Sequence, residues 1–361
     1  MNPGPFNVKE HALIAMFANS GLSSPTSAGF MTIMKVFYHR KFSLAIAMLL
    51  GKTSQLIGYG YAGLFMKFLV DSPKMWWPSV VAQVSLYRTL HVPDVRTKGK
   101  LTRFQFFIIV SVTSFAYYIV PNILFPSVTA LSIVGWIWKD SVTAHQIGSA
   151  VLTHTVLYHG RSVWKQFKET YHSQQQEGDV HNRLMKSYRT VPQWWFYSIL
   201  FLSSVVAILM CIFIPQLQLP VWGFLVALIT SVTMTLSAGV FYATANQWLS
   251  STDHTQELAM GYLLPGRPLA METFRVYNSM SMSQALSLLG DFKLGHYMKI
   301  PPRLIFIVQV VGQIISDYVH VGVTWWLSST TKNFCESDNL SKGVFGYVQH
   351  SVGLNRTIRI S

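Results

Sequence analysis

Apolar residues run in long blocks along this chain, and charged residues gather in short stretches between them. A helix needs about 20 mostly apolar residues to cross a bilayer. Residues 194–214 and 221–245 meet that length most clearly, with 304–327 and 104–120 close behind. Residues 42–70 are long enough to cross, although Lys52 interrupts them. Asn19, Ser20, Ser23, Ser24 and Pro25 break the run 11–37, which predicts a discontinuous helix or a poor span. The apolar run 125–138 suits a re-entrant segment better than a crossing, and 147–158 and 259–264 are shorter still. The pattern predicts an all-α, polytopic transmembrane helical bundle with about six to eight spans.

The polar stretches orient the bundle. Residues 88–103 carry Arg88, Arg96, Lys98, Lys100 and Arg103. Residues 161–189 carry Arg161, Lys165, Lys168, Arg183, Lys186 and Arg189. Basic loops stay on the cytoplasmic side, so both are expected there. An even number of spans must separate them, yet one clear span and two short ones lie between. Trp76-Trp77, Trp194-Trp195 and Trp325-Trp326 read as interfacial belts, and 78–90 as an amphipathic interfacial helix.

Composition agrees. Half of the residues are hydrophobic and 12% are charged, against roughly 25% in a soluble domain, so too little charge is present to cover soluble surfaces. The formal charge of +14 sits in loops between apolar runs, where topology explains it better than nucleic acid does. Cys211 and Cys335 make neither a disulfide framework nor a zinc site. The first residues lack the charged start and apolar core of a signal peptide.

Several motifs bear on chemistry. Gly58-Tyr59-Gly60-Tyr61-Ala62-Gly63 matches a dinucleotide fingerprint but lies in a membrane segment, where small residues let helices approach closely. His154 and His159 resemble one histidine box of a di-iron desaturase, but no second paired cluster accompanies them. No metal site, cofactor or enzyme activity is therefore expected. Asp317 and His320 fall within an apolar run and share a helix face, where they suit a hydrogen-bonded pair or proton relay. Lys52 suits either snorkelling or an anionic partner.

Two peptides are more specific. Asn2-Pro3-Gly4-Pro5-Phe6-Asn7-Val8-Lys9-Glu10-His11 opens the chain, and its prolines exclude regular helix at the start. Asp291-Phe292-Lys293-Leu294-Gly295-His296-Tyr297-Met298-Lys299-Ile300-Pro301-Pro302-Arg303 precedes the last apolar run. Both place charged groups beside a break in helical backbone, as solute paths of transporters do.

These peptides resemble the two signature motifs of the oligopeptide transporter family, in its peptide-transporting branch. Further stretches fit the same family: Phe37-Tyr38-His39-Arg40-Lys41, 58–71, Met75-Trp76-Trp77-Pro78, His145-Gln146-Ile147-Gly148, His159-Gly160-Arg161, Asp179-Val180-His181, Gln216-Leu217-Gln218-Leu219-Pro220, 261–270 and 281–303. The wording resembles plant members most. The resemblance implies a secondary transporter of small peptides, such as tetra- and pentapeptides or glutathione-like thiols, coupled to protons by alternating access. The yellow-stripe-like branch, which carries metal–nicotianamine chelates, is the alternative. It generally lacks both signatures.

The substrate and proton path is expected among Asn2, Pro3, Gly4, Lys9, Glu10, His11, Asn246, Gln247, Lys299, Pro301, Pro302, Arg303, Asp317 and His320. Glu10 or His11 is expected to couple protons, and Lys9, Lys299 and Arg303 to meet a peptide carboxylate. The implied partners are peptide, protons, the lipid bilayer, and a second copy or another chain supplying missing helices. Nucleic acid is not among them. The implied location is the plasma membrane.

The chain also departs from the family pattern. Family members are longer, and this chain begins at the first signature. Residues 144–150 run straight into 151–161, where relatives insert a long stretch, which accounts for the awkward span parity. Asn246-Gln247 fits, but 248–257 replaces the expected segment, and the pattern stops after Leu327. Residues 1–330 thus read as an incomplete, internally shortened membrane domain and 331–361 as a divergent tail. A shortened working transporter, a non-transporting membrane fragment and a truncated or mis-spliced product are all compatible with that reading.

Overall fold

The computed structural model describes residues 6–22, 26–36, 43–73, 75–91, 103–119, 180–185, 187–246 and 260–330. Among these residues the secondary structure is helical, with eleven α-helices. They are α1 (Val8–Leu22), α2 (Thr26–Val36), α3 (Leu44–Leu69), α4 (Pro78–His91), α5 (Arg103–Ile119) and α6 (Val180–Met185). Then follow α7 (Gln193–Phe213), α8 (Val221–Ala245), α9 (Pro268–Arg275), α10 (Ser281–Met298) and α11 (Pro302–Thr330). The chain is an integral membrane protein. Three described segments are long and apolar enough to cross a bilayer: Gln193–Phe213, Val221–Thr244 and Pro302–Leu327.

The expected runs 194–214, 221–245 and 304–327 correspond to α7, α8 and α11, and 42–70 and 104–120 to α3 and α5. The described helices within the run 11–37 are α1 and α2, and its residues 23–25 lie outside the described residues. Segments 125–138 and 147–158, and the His154 and His159 pair, lie outside the described residues.

Helix α3 is the axis of the bundle, because its small residues admit neighbours to backbone distance. A Cβ on Gly60 would lie 2.5 Å from Leu200 Cβ, and one on Gly63 would lie 2.3 Å from Phe196 Cγ, both on α7. A Cβ on Gly58 would meet the Ser281 carbonyl oxygen of α10. The glycines are therefore packing residues, as membrane helix pairs require. Contacts fix directions too. Gly60 and Gly63 pair with Leu200 and Phe196 in descending order, so α7 runs antiparallel to α3. Ser281 binds the Ser54 carbonyl and Lys293 the Val70 carbonyl, so α10 runs parallel to α3. Asp291 and Gly295 meet Gln309 and Ile305, so α11 returns antiparallel to α10.

Between α9 and α10 the chain makes one π-helical turn, Val276–Met280. Such turns widen a helix and free backbone groups for side chains. Here Ser231 donates to the Asn278 carbonyl at 2.9 Å, Asn278 Nδ2 donates to Thr230 Oγ1 at 2.9 Å, and the Tyr277 and Thr53 hydroxyls lie 3.3 Å apart. This polar knot ties α3 and α8 to the π-helical turn in the apolar interior.

The tryptophan pairs divide. Trp76, Trp194, Trp325 and Trp326 are exposed, as belts require. Trp77 is fully buried, which corrects the belt expectation for that residue. Its backbone holds φ +52°, its N–H donates to the Ala243 carbonyl at 2.9 Å, and its indole N–H donates to the Leu69 carbonyl at 2.9 Å. Leu69 ends α3 and Ala243 lies in the last turn of α8, so both carbonyls lack helical partners. Trp77 therefore caps two helices at once. From that anchor α4 starts, burying Val80, Val84 and Tyr87 as one stripe. Its other side is mixed, with Val81, Leu86 and Leu90 exposed beside Ser85, Arg88 and Thr89, so the division into apolar and polar sides expected of 78–90 is not clean.

Candidate functional site

Met16 and Ser20 of α1 meet Gln309 and Gly312 of α11 in ascending order, so α1 runs parallel to α11, and residues 6–11 of the first signature share one end of the bundle with the end of the second. That end holds the start of α1, the end of α10 and the start of α11. Their residues Ala12, Met298, Ile300 and Ile305 share one buried apolar cluster, with Val8 packed against it. Arg88 and His91 at the end of α4 lie there too, because His91 reaches His11. So does the 187–192 segment, because Arg303 Nε donates to the Thr190 carbonyl at 2.9 Å. Described parts of both basic stretches thus share one end, in keeping with the positive-inside expectation.

The first signature builds a helix start. The Asn7 side chain accepts from the Lys9 N–H at 3.3 Å, and Glu10 Oε2 accepts from the Asn7 N–H at 3.1 Å. This reciprocal pair is a capping box, which satisfies donors that an α-helix leaves open. Glu10 therefore has a structural task at the exposed end of α1. His11, one residue on, lies 3.1 Å from His91, Nδ1 to Nε2. Lys9 is exposed. Asn2, Pro3, Gly4 and Gln247 lie outside the described residues.

The second signature builds a helical hairpin. Lys299 takes the left-handed conformation at φ +59°, and the Ile300 N–H returns to the Gly295 carbonyl at 2.9 Å. Pro301 and Pro302 follow, and proline suits the first turn of α11 because no helical acceptor awaits its missing N–H. The Lys299 ammonium donates to the His296 carbonyl at 3.4 Å. Asn246 ends α8 in the same left-handed conformation and is exposed.

Beneath these caps lies a polar group that the expected path did not name. Asp291 on α10 is buried, and its carboxylate accepts from the Gln309 amide of α11. The other hydrogen on Gln309 Nε2 goes to the Met16 carbonyl of α1 at 3.1 Å. Tyr59 on α3 donates to the Gln309 carbonyl at 3.3 Å, with Gln309 Oε1 at 3.5 Å. Four helices thus meet at one carboxylate and one amide. A buried carboxylate held by one neutral donor is costly as an anion and accepts a proton readily. Two residues on, Lys293 is also buried and donates to the Val70 and Ser72 carbonyls at 2.6 and 3.2 Å. It closes the end of α3.

Asp317 and His320 lie deeper on α11, toward the opposite end. Asp317 is fully buried, and neither of its carboxylate oxygens has a hydrogen bond. The hydrogen-bonded pair expected with His320 is therefore not formed. Lys52 and His320 act on Asp317 through charge alone. The Lys52 ammonium sits 3.5 Å from the centre of the Tyr318 ring, a cation–π contact in place of snorkelling. Two of the expected charges, Asp317 and His320, thus stand apart from the signature end. Among the described residues no cluster of three or more His, Cys, Asp or Glu side chains is placed to hold a metal ion.

Comparison with known proteins follows the same lines. The model of the OPT oligopeptide transporter protein family matches residues 1–152 and 145–345. Oligopeptide transporter 1 of Arabidopsis thaliana is 39% identical over 463 aligned positions, covering 95% of this chain and 61% of that protein. Oligopeptide transporter 5 of the same plant gives the same identity and coverage. Oligopeptide transporter 7 is 34% identical, over 93% of this chain and 59% of its own length. All three are named as transporters rather than enzymes. The chain spans about three fifths of the length of these relatives. The 463 aligned positions exceed the 361 residues of the chain, so the relatives carry residues that it lacks. With both family matches together covering most of its length, the chain belongs to the oligopeptide transporter family.

Proposed function

We infer that this chain forms the membrane core of a proton-coupled carrier of small oligopeptides, in the size range of tetra- and pentapeptides and glutathione. One observation supports the reading above others: the described parts of both signature peptides share one end of the bundle, and the second carries Asp291, which meets Gln309 beside Tyr59. Lys9, Lys299 and Arg303 give that end a cationic rim suited to a peptide carboxylate. Asp291 is the better proton carrier than Glu10, because the Glu10 carboxylate caps α1 whereas Asp291 is buried where four helices meet. The names of the relatives support peptide as cargo, and the plasma membrane is the expected site of uptake. Carriage of a metal–nicotianamine chelate is the alternative cargo within the same family.

A second reading has its own support. The chain covers about three fifths of its relatives, and the two family matches meet at 145–152, where the sequence departs from the family pattern. A carrier moves one half against the other. On this reading the chain acts only with a second copy or with another chain supplying the missing helices.

Uptake of a labelled tetrapeptide by cells that lack peptide uptake tests both readings. The native chain is expected to import peptide, and faster on acidification. Asp291→Asn is expected to lower acid-stimulated uptake by about tenfold or more, equivalent to about 1.4 kcal/mol of barrier. Glu10→Gln keeps a capping side chain and is expected to retain the acid response. Native uptake in Asp291→Asn overturns the assignment of the proton. Import of a metal–nicotianamine chelate in place of peptide overturns the cargo. Correct insertion with no uptake at all favours the second reading.

A further inference from the structure

His11 and His91 come from helices at the signature end and meet at 3.1 Å between Nδ1 and Nε2. That contact constrains the protons on the two rings. One ring must present an N–H and the other a lone pair. The helices bear on which. His11 lies in the first turns of α1, where the helix dipole disfavours positive charge, and His91 is the last residue of α4, where the dipole favours it. A positive charge on the pair is therefore better held by His91, which then donates to His11. Phe6 from the first signature lies with its ring centre 5.7 Å from that of His11 and 5.5 Å from that of His91. Tyr87 lies 5.0 Å from His11. These rings shelter the pair and suit one positive charge between them.

Helix α4 has two attachments. At its start, Trp77 is fixed by hydrogen bonds to the ends of α3 and α8. At its far end, His91 holds α1. We propose that the His11–His91 pair is a proton-operated latch: the first proton strengthens the bond, and the second, on His11, forces the rings apart and frees the end of α4. The first proton makes the N–H···N bond charge-assisted. The second removes the lone pair and sets two cations face to face. Histidine is the side chain whose ordinary titration falls in the physiological range.

The surrounding charges are mixed in sign. Helix α1 brings Lys9 and Glu10, and α4 brings Tyr87 and Arg88. Helix α10 brings Asp291, which acts through charge on Tyr87, together with Lys293, His296 and Lys299. Helix α11 brings Arg303. The latch needs only α1, α4 and acid, so it stands whether or not the chain carries peptide.

Spin labels on the full chain in liposomes read the latch directly. Cys211 and Cys335 are replaced by alanine, and labels are placed through Ile14→Cys on α1 and Thr89→Cys on α4, both exposed positions. One short distance is expected at neutral pH. A longer population is expected to grow on acidification. His91→Phe keeps an aromatic ring but carries no proton, so its distance is expected to stay constant with pH. His11→Phe gives a second test of the same kind. A native distance that does not change with pH overturns the latch. A change of native size that persists in both phenylalanine variants overturns it equally.

Discussion

Lys293→Met is expected to give a chain that enters the membrane but loses its packed structure at low temperature. The native ammonium is almost fully buried and donates to two carbonyls, those of Val70 and Ser72, just past the end of α3. Those carbonyls have no next helical turn to serve them. Hydrogen bonds to a charged group are each worth about 1.5–3 kcal/mol, so losing both costs roughly 3 kcal/mol or more. Methionine preserves the bulk of the stem, so the change isolates the ammonium. The same ammonium acts electrostatically on Asp71, which follows α3. Thermal unfolding of detergent-solubilised protein, followed by loss of the monodisperse peak on size-exclusion chromatography, checks this. Lys299→Met is the control. Its ammonium makes a longer bond, 3.4 Å, to a carbonyl of its own helix, and a small effect is expected.

Gly63→Val is expected to separate α3 from α7. A Cβ there would sit 2.3 Å from Phe196 Cγ and 2.4 Å from Phe196 Cβ. Phe196 is fully buried and stacks edge-on against Phe306 at 5.1 Å and Phe292 at 6.2 Å, so it has no room to retreat. Overpacking of a filled core costs typically about 1–3 kcal/mol and more where the neighbours cannot move. Gly60 meets Leu200 on the same face one turn earlier, and Gly60→Val is expected to act in the same direction. Gly322, by contrast, would place its Cβ in open space, so Gly322→Ala is expected to be tolerated. The measurement is the yield of folded protein after extraction. A Gly63→Val chain with native yield and native melting would show that the close approach of α3 and α7 is wrong.

The sequence made some parts of this bundle plain and hid others, for physical reasons. Helices α7, α8 and α11 were legible because apolar length alone decides them. The role of Gly58, Gly60 and Gly63 followed from their spacing once a dinucleotide site was excluded.

Trp77 was misread because a tryptophan pair beside a membrane segment has the same sequence whether it faces lipid or caps two helices. The left-handed backbone at Trp77 has no sequence signal, since glycine is the usual residue there. Asp291 stood inside a quoted signature, yet its partner Gln309 lies 18 residues away and gains meaning only through the α10–α11 hairpin. One clue was available: a glutamine inside an otherwise apolar run demands a polar neighbour. Glu10 carries a second signal that was legible in the sequence. A carboxylate beside a membrane helix invites a proton role, whereas the pattern Asn-x-x-Glu at 7–10 already spelled a helix cap.

The functional reading requires that both signature peptides open on one side of the membrane. Single cysteines at Lys9 and Lys299, in a chain with Cys211 and Cys335 replaced by alanine, test this with a membrane-impermeant maleimide on intact and inverted vesicles. Ser43, at the start of α3, supplies the opposite end. Lys9→Cys and Lys299→Cys are expected to label from the same face, the cytoplasmic one, and Ser43→Cys from the other. Labelling of Lys9→Cys and Lys299→Cys from opposite faces would contradict it.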